Sequence, residues 1–312
     1  MSGLKGGDGR RETGDAVRHL PSPISHLPRF WGWSLPGLSL LALLVVLPAL
    51  VTLPLALLHF DGVSPPSFAG MDNLARLWGD PLFWQSLSNS LKVLFLSVPM
   101  RLALALGLAL LLHRAGPGVG LGRAAVLAPG VTPDIAWAVV WLFLLNPLYG
   151  PVALMLPLFG YAPGAWLTDP VVARSLLALM TLWLIGEITV VLIAARQELG
   201  HEVYEAARIE GASSWQIFRR VTLPLLMPVL MLLACRDAAL SFQTSLTPAM
   251  IITKGGPQFG TLLLPLYAYQ NGFEYLRFGY AAAIQLALFF ITLLLILVQL
   301  RWLKRWSRQQ AG

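Results

Sequence analysis

Six apolar stretches run through this sequence, at about residues 33–60, 89–112, 124–145, 171–195, 221–252 and 278–300. Each exceeds the roughly 20 residues a helix needs to cross the hydrocarbon of a bilayer. Hydrocarbon offers no partner to a free N–H or C=O group, so only helices or a closed barrel can span it. The runs are continuous rather than alternating, which favours helices over barrel strands. Composition agrees: 56% of the 312 residues are hydrophobic and 12% charged, whereas a soluble domain carries roughly a quarter charged. The expected fold is an all-α membrane protein with six transmembrane helices. Pro224, Pro228 and Pro248 in the fifth run predict a kink or tilt there.

Lys and Arg set the orientation. Residues 1–30, the second and fourth connections and the C-terminal end together hold fifteen of them; the opposite connections hold only Arg76, Lys254 and Arg277. Both termini are therefore expected in the cytoplasm. The net charge of +7 then reflects topology and contact with lipid headgroups, not nucleic acid. Residues 1–30 are polar, rich in Gly, Pro and Arg, and are expected to be a disordered cytoplasmic tail. They contain no apolar core of a signal peptide. The single cysteine, Cys235, excludes an internal disulfide and reads as a small hydrophobe in a helix. The histidines lack metal-ligand spacing, and no phosphate-binding GxxxxGK[ST] occurs, so no metal or nucleotide is expected in this chain.

One polar stretch interrupts the apolar sequence: YEAARIEGASSWQIFRRVTLP, residues 204–224. Val203, Ala206 and Ala207 fall at i, i+3 and i+4, a small-residue helical face. Gly211 ends that helix. Ser213 with Gln216 three residues on reads as a capping box for a second short helix, with Trp215 and Phe218 on one face and Arg219 behind them. Pro224 stands near the start of the next span, where a missing N–H costs little. The pattern predicts helix, glycine turn, helix on the cytoplasmic surface. By itself it also fits a hairpin lying on lipid, although paired alanines suit close approach to a protein better.

Glu205-Ala206-Ala207, Gly211, Val221 and Leu223-Pro224 match the seven fixed positions of the EAA motif of ABC importer permeases. Downstream, TKGGP (Thr253 to Pro257), YAYQNGF and GYAAA resemble the maltose-like, carbohydrate-transporting branch of that family; weaker matches are AP…TPDIAW and Asn89-Ser90. The resemblance covers about residues 85–300. Val221 stands in place of the usual isoleucine, and IEGA in place of IDGA. It implies the type I ABC importer permease fold in the cytoplasmic membrane of a bacterium or archaeon. Residues 31–84 would be the first transmembrane helix and an extracytoplasmic loop. Residues 85–302 would be a core of five spans with cytoplasmic coupling helices at 199–220, and 303–312 a cytoplasmic tail. It further implies that Glu205, Ala206, Ala207, Gly211, Trp215, Phe218 and Arg219 couple to a cytoplasmic ATPase dimer. That dimer would bind ATP and Mg; this chain would hold no cofactor. The other implied partners are a second permease, of a paralogous kind, and an extracytoplasmic solute-binding protein.

Ionisable and polar groups at membrane depth are expensive and usually face a cavity or a partner. Asp134 with Trp137 and Trp141, Trp183 with Glu187, and Arg236-Asp237 followed by Ser241, Phe242 and Ser245 are the candidates. The resemblance places Asp134, Trp183, Leu184, Glu187, Ala238, Phe242 and Ser245 along the substrate pathway. Each has a structural alternative. Asp134 can cap the third span, Glu187 can pair with Arg236, the tryptophans can belong to an interface belt or the core, and Ser241 and Ser245 can pack helices. Lys92 would snorkel, and Arg101 would enter an interhelical pair. Carboxylates beside indole faces suit a neutral sugar or oligosaccharide. The competing readings are a glycerol phosphate permease and a gradient-driven carrier, although no internal repeat supports a carrier. An embedded enzyme has no nucleophile–base pair to support it.

Overall fold

A computed structural model of the chain describes residues 27–113, 116–162 and 164–310. Almost all of the expected N-terminal tail therefore lies outside the described residues; from Leu27 the chain is helical. The chain divides into two units at Val51 and Thr52. In the first, α1 (Leu27–Leu41) passes through a π turn (Ala42–Val46) into α2 (Leu47–Leu55), whose last residues belong to the second. The stretch Ser34–Leu55 is long and apolar enough to cross a membrane.

The second unit opens with a small hairpin, β1 (Leu58–His59) against β2 (Ser67–Phe68), antiparallel with Leu58 opposite Phe68. α3 (Asp72–Gly79) leads to α4 (Pro81–Leu112), a span that starts well before residue 89. Asp80 explains the early start: its carboxylate caps the Leu82 N–H at 2.9 Å, and Pro81 occupies a position whose N–H would be orphaned anyway. Asp169-Pro170 repeats the device at the head of α8.

The third apolar run is not one straight helix. α5 (Val119–Leu127) and a 3₁₀ turn to Val131 meet α6 (Asp134–Leu144) at 99°. Pro133 forces this break, because the residue before a proline is pushed out of the helical region, and Thr132 is extended at ψ 129°. After α7 (Pro151–Met155), α8 (Pro170–Met180) continues as a 3₁₀ turn to Leu184 and meets α9 (Gly186–Glu198) at 51°. At that corner Gly186 lets α5 approach closely: a Cβ there would lie 2.5 Å from the Val126 carbonyl oxygen. α10 (His201–Ile209) and α11 (Ser214–Ile217) follow. α11 then runs through a π turn (Phe218–Thr222), α12 (Leu223–Thr244), α13 (Leu246–Pro248) and a second π turn as one helical stretch, Ser214–Thr253. The prolines of this run are thus taken up within a continuous helix, one π turn ending just before Leu223-Pro224 and the other following Pro248. α14 (Leu264–Tyr269) and α15 (Phe278–Gln310) complete the chain, and α15 carries helix through the segment expected to be a tail from residue 303. Among the described residues four stretches can cross a membrane, or six if each bent pair is one span.

The main core joins α4, α6, α8, α14 and α15 through residues such as Phe83, Trp137, Leu177, Leu264 and Ile284. A second cluster, with Ala105, Ala109, Leu192 and Leu226, packs α4 against α9 and α12. Small residues at these contacts let backbones approach closely where lipid supplies no hydrophobic drive. Gly279 is the tightest such contact: a Cβ there would stand 1.9 Å from the Leu58 carbonyl oxygen. Gly279→Ala is expected to destabilise the chain by about 1–3 kcal/mol through overpacking. Its thermal midpoint in detergent should fall, and a wild-type midpoint would show that β1 moves aside freely.

Candidate functional site

The elbow folds as the sequence implies up to its second helix. α10 ends when Ala212 N–H donates to Ala207 O and Glu210 N–H to Ala206 O, each at 3.0 Å. The first is the long bond of a helix end that requires a left-handed residue, and Gly211 supplies it at φ +77°. The capping box forms: Gln216 Oε1 accepts from Ser213 N–H at 2.8 Å, and Ser213 Oγ accepts from Gln216 N–H at 3.4 Å. The Trp215 and Phe218 rings lie 5.3 Å apart. The second elbow helix is not free-standing, however; it is the first turns of a 40-residue helical stretch, Ser214–Thr253, that is long and apolar enough to cross a membrane. α10 is fastened by Tyr204, which is buried beneath the Arg196 guanidinium at 3.9 Å. Other apolar groups of the elbow face outward: Ile209 of α10 is 87% and Trp215 of α11 66% exposed. Glu205, Ala206, Gly211 and Arg219 are exposed as well, with Ala207 and Phe218 half-buried. Nothing lies within 4 Å of where a Gly211 Cβ would stand.

The candidate pathway residues divide into two groups. Ala238, Ser241, Phe242 and Ser245 are buried, and Ala238 and Phe242 pack on Leu94 and Val98 of α4. Trp137 is buried in the main core beside Trp141, ring centroids 6.0 Å apart. These five are covered by this chain's own side chains. Asp134 in the first turn of α6, Trp183 and Glu187 are exposed, and Leu184 is half-buried. The 51° corner falls between Trp183 and Glu187, so a regular-helix spacing does not relate them. Arg236 Nη2 donates to both oxygens of Glu187 at 2.7 Å each, which is the pairing alternative read from sequence. Asp237 turns the other way. Its Oδ2 lies 3.0 Å from Arg101 Nη2, an ion pair not aligned as a hydrogen bond, while Arg101 donates instead to Ser241 Oγ. Ser241 in turn donates to the Asp237 carbonyl at 2.7 Å. This joins α4 to α12 and accounts for Arg101.

A third cluster organises the segment containing TKGGP. Lys254, Gln258 and Phe259 have φ of +50°, +49° and +56°, values that side chains other than glycine's resist. Side chains from two spans hold that loop. Asn89 Nδ2 donates to the carbonyls of Phe259 (2.8 Å) and Leu262 (3.2 Å), and Ser90 Oγ accepts from Leu264 N–H at 2.7 Å. Arg174 Nη1 donates to Asn89 Oδ1 and to Gly260 O, both at 3.1 Å. Sequence reasoning noticed Asn89-Ser90 but missed Arg174, whose signal was a lone cation inside an apolar run. It also missed Asp80, to which the hydroxyls of Tyr267 and Tyr280 both donate. Burial pushes the Asp80 carboxyl up, but these bonds and the Leu82 and Phe83 amides outweigh it and hold it below the ordinary carboxylate range. Burial, then the Asp80 contact, pushes the Tyr267 phenol up to about 12.

Residues 30–308 match the family described as binding-protein-dependent transport system inner membrane component. The chain belongs to that family. Among its relatives, it is 31% identical to the lactose transport system permease protein of Rhizobium radiobacter, over 86% of this chain and 92% of that one. It is 32% identical to the trehalose/maltose transport system permease protein of Thermococcus litoralis, over 86% and 90% of the two chains. Its fold matches a chain of a bacterial ABC transporter involved in the import of the acidic polysaccharide alginate, with a TM-score of 0.74, 21% identity, and coverage of 90% and 97%. This permease-family chain is thus a multi-pass inner-membrane component of a transport system and not an enzyme.

Proposed function

We propose that this permease-family chain forms half of the translocation pathway of an ATP-driven, binding-protein-dependent carbohydrate importer. The observation that carries the substrate class is that relatives about 30% identical over most of both chains are named for lactose and for trehalose/maltose. Among the candidate pathway residues and Arg236, the pairing of Arg236 with Glu187 leaves Asp134, an anion, as the exposed ionisable group outside an ion pair, which supports a neutral cargo over a phosphate. A second, paralogous permease would complete the pathway, and a solute-binding protein would deliver the sugar outside. The termini and the elbow would face the cytoplasm, as the Lys and Arg asymmetry implies.

In this reading the elbow is where a cytoplasmic ATPase dimer, with its ATP and Mg, takes hold. The open space at Gly211 and the exposed Ala206 and Trp215 leave the seat uncovered in this chain. The continuity of α11 with α12 gives it leverage, because force on Trp215 passes along one helical stretch into the membrane. Asp134, Trp183 and Glu187 are the groups left exposed to line the pathway.

The test is uptake of labelled disaccharide by proteoliposomes holding the complex. Saturable uptake that requires both ATP and the binding protein is expected. Uptake driven by an ion gradient without ATP, or uptake of glycerol phosphate to the exclusion of every sugar, would overturn the reading. Within that assay, Trp183→Ala is expected to raise KM about tenfold or more with little change in chain stability, since the indole is 52% exposed and its loss opens no cavity. An unchanged KM removes Trp183 from the pathway.

A further inference from the structure

The ends of α4 and α9, with α5 and the elbow helix α10, enclose a cleft of about 820 Å³, of whose lining only Glu205 enters the coupling described above. Arg123, Arg196 and Arg208 line it, with Tyr204, Leu199 and one carboxylate, Glu205. Three guanidinium groups against that carboxylate leave an excess of positive charge. No salt bridge among the described residues engages any of the three arginines. Arg123 donates to the Leu112 carbonyl through Nε at 3.0 Å and Nη2 at 2.7 Å, which satisfies the end of α4 without neutralising the charge. Arg196 lies over the Tyr204 ring, and its Nε has no hydrogen-bond partner. Arg123 and Arg196 are thus held in place, and no salt bridge among the described residues neutralises any of the three guanidinium groups.

The cleft also has a definite depth. α4 is a span ending at Leu112, and α9 is the second half of a bent span ending at Glu198. Span ends lie where hydrocarbon gives way to headgroups. A basic recess between helices at that level suits an anionic headgroup, and guanidinium forks match phosphate oxygens in geometry as well as charge. We propose that this cleft binds a phosphate group, carried by an anionic membrane lipid or by a soluble phosphate compound. The proposal uses the membrane reading of the chain and is independent of what is transported.

The full chain, purified in an uncharged detergent, is titrated separately with dioctanoyl phosphatidylglycerol, with dioctanoylglycerol, and with inorganic phosphate, and bound molecules are counted by native mass spectrometry. Retention of phosphatidylglycerol but not of dioctanoylglycerol is expected, weakened about tenfold or more in Arg196→Gln and in Arg208→Gln, as loss of one charge-assisted contact implies. Arg301→Gln, which removes an exposed cation from α15, is expected to leave binding unchanged. Inorganic phosphate bound with the same dependence on Arg196 and Arg208 also supports the site and assigns it to a soluble ligand. Arg208 is exposed, so its variant serves even if Arg196→Gln fails to fold. Equal retention in wild type and both variants overturns the proposal, because the lipid is then only the general annulus. So does loss of ATPase capture with no change in phosphate or lipid binding, which would make the cleft a protein contact.

Discussion

Asp237→Leu is expected to destabilise the folded chain by about 3–5 kcal/mol, the usual cost of removing one partner of a buried ion pair. Arg101 is 3% exposed and Asp237 6%, so neither charge can turn to water. Arg101 Nε already lacks a hydrogen-bond partner, and loss of Asp237 would leave Ser241 as the one side chain bonded to the guanidinium among the described residues. A lone guanidinium at membrane depth, with α4 and α12 closed around it, has nothing to repay its desolvation. The double replacement Arg101→Met, Asp237→Leu is expected to recover most of the loss, because a well-packed apolar pair often equals or exceeds a buried ionic one. Thermal midpoints of the three proteins in one detergent decide the matter. A wild-type midpoint for Asp237→Leu would mean that water reaches Arg101, and the ion pair would not be what joins these helices.

Gly211→Asp is expected to leave folding nearly intact and to lower ATP-driven uptake and capture of the ATPase subunit at least about tenfold, or 1.4 kcal/mol of coupling. Gly211 sits at φ +77°, a region aspartate tolerates better than most residues, and a Cβ there meets open space. The substitution therefore tests the space outside the elbow rather than the chain itself. An acidic side chain fills the gap through which a partner would approach Ala206 and Ala207. Insertion level and thermal midpoint monitor the fold, while uptake and subunit capture monitor the seat. Normal uptake with a normal midpoint would show that the partner approaches elsewhere, and Trp215 and Arg219 would lose their proposed role with it. Gly211→Val distinguishes the two causes, since a β-branched residue at this φ would strain the turn and lower the midpoint as well.

Much of the elbow was legible because its signals are local. A glycine is needed where φ is positive, and a serine with a glutamine three residues on caps a helix whatever surrounds it. The Asp-Pro pairs at 80–81 and 169–170 are equally local, although their meaning emerged only with the span starts they fix. The arginines were harder. Sequence shows that Arg101, Arg174 and Arg236 lie in apolar runs but not which acceptor each meets, because those acceptors are 140, 85 and 49 residues away. Ser241, Phe242 and Ser245 show the same difficulty: helical spacing places them on a face but leaves open whether that face meets a cavity or α4.

By itself the sequence pointed to a chain that spans a membrane in helices, because long continuous apolar runs, unlike the alternating ones of a barrel, satisfy their backbone polar groups within each run. It also determined where the polar elbow turns, but not which prolines bend a helix: those of the fifth run stay within one helical stretch, whereas Pro133 breaks the third. Tertiary structure alone decided that the third and fourth runs bend by 99° and 51°, that Asp237 faces Arg101 while Arg236 faces Glu187, and that three arginines share one cleft. The physical reason is range. Capping and turn chemistry act within a few residues, whereas close backbone contacts such as Gly186 on Val126, and the partner each buried charge must find, exist only once distant segments have packed together.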